Sequence, residues 1–130
     1  MPFIISSNIF LLIPVVIAFW KGEWIYFSLA LSLVFFSPLY HYLRIYRSES
    51  RFHQLVRELD WLVALLSYLY MFYIVSAKVP EHVESMLYIL LIFTILFFIY
   101  GYKLADYRKY HPWFHIVAPI VSGIIIYYVK

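Results

Sequence analysis

Five apolar runs dominate this 130-residue chain, over residues 2 to 20, 24 to 43, 61 to 77, 85 to 102 and 112 to 129. At ~1.5 Å of rise per residue, each is long enough to cross most of a ~30 Å hydrocarbon core. Within such a core a helix satisfies its own backbone, so the pattern predicts an all-α integral membrane protein. The expected architecture is a bundle of five transmembrane helices in a single domain covering residues 1 to 130. Composition agrees, since 65% of the residues are hydrophobic and 13% charged, far from the balance of a soluble domain. The first run lacks a basic leader and a small-residue cleavage site and continues into Phe19-Trp20-Lys21, so it reads as a helix and not as a signal peptide.

Several function classes fall away at once. There is no cysteine, hence no disulfide framework, thiol nucleophile or thiolate ligand, and any transition metal must be held by histidine and carboxylate. The formal charge of +3 is small and its basic residues lie in connections, without the aromatic-interleaved patch that nucleic acid would require. Three scattered glycines, Gly22, Gly101 and Gly123, build no phosphate-cradling loop.

Along the chain, Lys21-Gly22-Glu23 is a tight connection flanked by Trp20 and Trp24, an aromatic belt at one interface. Pro14 and Pro119 are expected to bend the first and fifth spans. Span two ends in Ser37-Pro38-Leu39-Tyr40-His41, where Ser37 and His41 are four apart and share a helix face. Residues 44 to 59 form the longest connection, in which Phe52, Leu55, Val56 and Leu59 at helical spacing predict a short amphipathic helix lying on the headgroups. His53 falls on the wet face of that helix and is given no role. Asp60 opens span three, where an Asp can serve simply as an N-cap. His82 and Asp106 read as loop residues. In His111-Pro112-Trp113-Phe114-His115, Pro112 suits a first helical turn, which places His111 at the helix start and His115 one turn inside. Imidazoles at that spacing stack on one face and converge on one ion.

Parity decides whether these clusters meet. With five spans, Arg44, Arg47, Arg51, Arg57, Lys103, Arg108 and Lys109 share one side, and Lys21, Lys78 and Lys130 the other. Seven against three puts the N-terminus in the cytoplasm and the C-terminus outside a plasma or inner membrane. Ser37, His41, Asp60, His111 and His115 then lie at the same cytoplasmic interface. Three imidazoles with an open fourth position are the arrangement of a catalytic zinc, whose water has a pKa near ~7. His41, His111 and His115 are thus read as metal ligands, Asp60 as the base or orienter of the water, and Ser37 as a supporting or oxyanion contact.

The set Ser37-x-x-x-His41, Asp60 at the head of the next helix, and His111-x-x-x-His115 at the head of the last resembles the CREST superfamily of membrane hydrolases. That superfamily includes the alkaline ceramidases, the progestin and adipoQ receptors and GPI-anchor remodelling lipid hydrolases. The resemblance implies zinc on the three histidines, attended by Ser37 and Asp60, and cleavage of an amide or ester bond in a membrane lipid. The family typically has seven helices. Removing two between the Asp and the final His pair preserves parity, and leaves a pocket that opens laterally to the bilayer or is completed by a second copy in a homo-oligomer. Two other readings stay open: a non-catalytic receptor or scaffold with a structural zinc, and a small haem-binding electron carrier.

Overall fold

The computed structural model describes residues 2–104 and 106–130, and every element in them is helical. Helix α1, Phe3–Lys21, is not uniform: it is α-helical over Phe3–Ser6, tightens to a 3-10 turn over Ser7–Leu11, and relaxes to α-helix over Leu12–Lys21. Pro14 lacks the N–H that would close an α turn on Phe10, and the tighter pitch lies just ahead of it. The buried Ser7 and Asn8 side chains donate to the Ile4 carbonyl, at 3.2 and 2.8 Å, while the Asn8 Oδ1 is left without a partner. Gly22, at φ 71°, ends α1 in the left-handed conformation that favours glycine.

Helix α2, Trp24–Tyr46, runs back through Pro38 without a break. Helix α3, Arg51–Lys78, starts at Ser50, whose hydroxyl accepts the His53 N–H at 3.0 Å. Its 28 residues extend about 42 Å, longer than a hydrocarbon core. The separate amphipathic helix expected over residues 44 to 59 is therefore the first turns of α3 itself, and the connection to α2 is only a few residues long. Two further expectations change with it. Asp60 lies well inside α3 and caps nothing, and His53 is buried, with its ring stacked on Tyr40 at 5.6 Å, rather than facing water. Helix α4, Glu81–Ile99, includes His82 in its first turn instead of leaving it in a loop, and it widens into a π turn at Tyr100–Leu104. Asp106 is likewise not idle: its carboxylate accepts the Arg108 N–H at 3.0 Å and caps helix α5, Tyr107–Tyr127.

Helices α1 and α5 lie side by side and parallel. Phe3 meets Trp113 at one end, with ring centroids 5.7 Å apart, and at the other the Lys21 ammonium donates to the Val129 carbonyl at 2.9 Å. Between those ends Gly123 admits Ile13 and Ile17 so closely that a Cβ there would stand 3.1 and 3.2 Å from them. The common core, including Ala18, Ala30, Ile74, Leu87 and Ile125, joins all five helices. Four of them, α1 to α4, are long and apolar enough to cross a membrane. Helix α5 is the less apolar one, and for a visible reason: His111, Pro112, His115 and Pro119 interrupt it, and all four are turned into the bundle. Its histidines are buried while Arg108 and Lys109 in its first turn are exposed, and it lies along the full length of α1.

Candidate metal centre

The centre is assembled from one helix end and one helix start. Near its C-terminal end, α2 brings His41, 1% exposed; α5 brings His111 and His115, each 7% exposed, one turn apart on the face it turns inward. His111 is not at the start of its helix as Pro112 suggested. The helix begins a full turn earlier at Tyr107, so both histidines sit on regular helix and their spacing is held rigidly.

The three rings converge. Their centroids are 5.3 Å (His41 to His111), 4.9 Å (His41 to His115) and 4.8 Å (His111 to His115) apart, with planes crossed at 62 to 87°. The Nε2 atoms of His41 and His115 face each other at 2.9 Å, and one ligating nitrogen from each of the three residues lies within 4.8 Å of the others. The Nδ1 of His111 is buried with no hydrogen-bond partner. Two of the rings are thus close enough to share a proton and the third has a buried nitrogen without a partner, a polar grouping that suits a cation. His41, His111 and His115 could together hold a metal ion, with an all-imidazole donor set.

Ser37 and Asp60 come from α2 and α3 to the wall of one cavity. Both line a cavity of about 330 Å³ that also touches His111 and His115. Ser37 is 3% exposed, one turn before His41. Ser28, Ser32, Ser67 and Ser76 all return their hydroxyls to the carbonyl four residues back, at 2.7 to 2.9 Å, whereas Ser37 makes no such bond among the described residues. Its hydroxyl stays available to the cavity. Asp60 has no cation beside it, since the one ion pair among the described residues joins Lys78 and Glu23 at the far end of the bundle.

From the histidines the cavity runs down between α2, α3 and α5 to Tyr26, Met71 and Ser122, through walls that are almost entirely apolar. It also opens sideways. Trp61, Leu65 and Tyr102 line it and are nevertheless 45%, 57% and 46% exposed, so the cavity reaches the outer surface of the bundle between α3 and the π turn. Two residues at its upper rim escaped the sequence reading. Tyr107 stacks on His111 with centroids 4.3 Å apart, and Arg44 lies over Tyr107 at 4.1 Å. Each has a neighbour at helical spacing, Tyr107 with His111 and Arg44 with Tyr40, and that i to i+4 relation was the available signal.

No family model, curated protein or solved structure matches this chain.

Proposed function

We propose that this chain is a zinc-dependent intramembrane lipid hydrolase that cleaves an amide or ester bond, as its resemblance to the CREST superfamily implies. The observation that carries the reading is the junction of a buried three-histidine cluster with an apolar cavity that opens on the lipid-facing side. Substrates with one reactive polar group and a long apolar tail suit that junction.

His41, His111 and His115 would hold the ion. A zinc ion there supplies Lewis acidity at a carbonyl and an acidified water at neutral pH. Asp60, in the wall of the same cavity, would serve as the general base and acid that accepts a proton from the attacking water and delivers it to the leaving amine or alkoxide. Ser37 offers its free hydroxyl to the carbonyl oxygen as negative charge develops on it. The apolar walls hold the acyl chain and keep bulk water from the reacting atoms.

Two alternatives fare less well. A haem needs a flat slot between its axial imidazoles, and 2.9 Å between the His41 and His115 nitrogens leaves none. A purely structural metal in a receptor or scaffold would tie α2 to α5 with the same histidines, but it would need neither a free Ser37 hydroxyl nor an uncapped Asp60. For orientation, α5 runs the length of α1, and seven Lys and Arg gather at the histidine end against Lys21, Lys78 and Lys130 at the other, which favours a cytoplasmic centre. A reporter fused after Lys130 and found in the cytoplasm would overturn that orientation.

The decisive experiment offers ceramides and phospholipids to purified, zinc-loaded protein and to Asp60→Asn. Hydrolysis by the parent should fall on the order of 10²- to 10⁴-fold in the variant with zinc retained. Ser37→Ala should cost less. Absence of hydrolysis of any lipid by the loaded parent would move the reading to the scaffold or receptor.

A further inference from the structure

Above the histidines, α2 and α5 are joined by a stack that a metal centre does not require. Tyr107 lies nearly parallel to His111, with planes 21° apart. Arg44 places its guanidinium carbon 4.1 Å from the centre of the Tyr107 ring and donates to the Tyr40 hydroxyl at 3.4 Å. Tyr40 and Tyr107 are both walls of the cavity. Arg44 is itself exposed, and it is held by two cavity-lining tyrosines, one of which stacks on a buried histidine.

The ordinary explanations of such an arginine do not account for it. Arg44 is in the last turn of α2, where a cation can satisfy orphan carbonyls, yet its side chain bonds to a tyrosine instead. Surface arginines pair with carboxylates, but the single ion pair among the described residues is at the opposite end, and Asp60, in the wall of the same cavity, does not pair with it. The excess of basic residues at this end is a collective preference satisfied by Arg47, Arg51 or Arg57 equally well. It does not flatten one of them against the ring that covers His111. Of five guanidinium donors, Arg44 uses one.

A planar fork of free N–H groups, oriented by stacking and held against two residues that line an apolar cavity, matches a phosphate. We propose that Arg44 binds the phosphate of the substrate headgroup, so that the lipid this centre takes is an anionic phospholipid and not an uncharged ceramide-like lipid. The phosphate sits at the Arg44 and Tyr107 rim, and the acyl chain with its carbonyl runs past the histidines into the cavity. Like charges also bear on this: a cation at the histidines and Arg44 repel each other across Tyr107, and an anion bound at the rim relieves the repulsion. Phosphate binding and metal binding should therefore strengthen one another.

This inference rests on the lipid-hydrolase reading, but its test does not use hydrolysis. Binding of an ether-linked alkyl glycerophosphate is compared with that of the uncharged alkyl glycerol of the same chain length, by calorimetry on the purified full chain. The phosphate form should bind on the order of tenfold tighter or more, as expected for a charge-assisted pair. Arg44→Gln should abolish the difference, Arg44→Lys should restore only part of it, and Arg47→Gln, just past the end of α2 and outside the stack, should leave it intact. Equal binding of the two lipids, or equal losses in Arg44→Gln and Arg47→Gln, would overturn the proposal in favour of diffuse surface charge. Inorganic phosphate should compete weakly; if it matches the lipid, the ligand is the free anion and the phospholipid assignment fails. An Arg44-dependent preference without hydrolysis would leave this inference standing and remove the hydrolase reading. Hydrolysis of neutral lipids indifferent to Arg44 would do the reverse.

Discussion

The two ends of the bundle treat polar groups in opposite ways. At the end holding the α1–α2 and α3–α4 turns, the buried Glu23 carboxylate is fully paired: the Lys78 ammonium donates to both of its oxygens at 2.9 Å and Tyr70 adds a bond at 3.3 Å, while Lys21 reaches the Val129 carbonyl and the Lys130 N–H reaches the Lys78 carbonyl at 3.0 Å. At the histidine end the buried polar groups are left wanting. His111 has an orphaned Nδ1, both ring nitrogens of His53 are unpartnered, Ser37 keeps its hydroxyl free and Asp60 has no cation. Buried polar atoms are normally paired because each orphan costs on the order of 1–3 kcal/mol. One end pairs its charges internally, and the other keeps buried polar groups without partners among the described residues.

That contrast can be broken most forcefully at the histidines. His41→Ala, His111→Ala and His115→Ala should each lower zinc affinity by on the order of 100-fold or more, since even residues behind a ligand typically cost 10- to 100-fold. Metal analysis of detergent-purified protein should find about one ion per chain in the parent and none in the triple variant. Full retention in the triple variant would end the metal reading. A change of intermediate size belongs at the opposite end. Glu23→Gln leaves Lys78 without its carboxylate, so thermal unfolding should show a loss of about 1–3 kcal/mol while zinc content stays at the parent level. A loss of zinc there would mean that the two ends are not independent. The smallest effect should come from His53→Phe, which keeps the ring stacked on Tyr40 and removes two orphaned nitrogens. Stability should be unchanged or slightly raised, within about 1 kcal/mol, because replacing an unsatisfied polar group by an apolar one of its shape is nearly neutral. A clear destabilisation, or lost zinc, would place His53 among the working residues.

The bundle of five helices and the grouping of the three histidines were both legible in the sequence. Histidines four apart must share a helix face wherever the helix begins, so the convergence of His111 and His115 was legible even though the start of α5 was misplaced by a turn. Helix boundaries were harder, for a physical reason. Arg51, Arg57 and Glu58 among Phe52, Leu55 and Val56 look like a surface helix, because local pattern does not reveal that the same helix continues unbroken into an apolar stretch. Reading Asp60 as a helix start, and His53 as solvated, followed from that break. The parallel packing of α1 on α5 depends on Ile13 and Ile17 meeting Gly123, a contact between residues far apart in sequence that no periodicity encodes.

The order in which these parts are made gives α5 a particular standing. It is the fifth helix to leave the ribosome, and the one whose own sequence gives the weakest reason to enter a bilayer, because His111, Pro112, His115 and Pro119 all lie along it. Lipid is a poor environment for those residues, whereas the groove formed by the earlier helices is lined to receive them. Until α5 docks, His41 waits alone and there is no donor set for an ion. An ion held by all three histidines could therefore enter only after α5 has docked, and it would then tie that helix to α2.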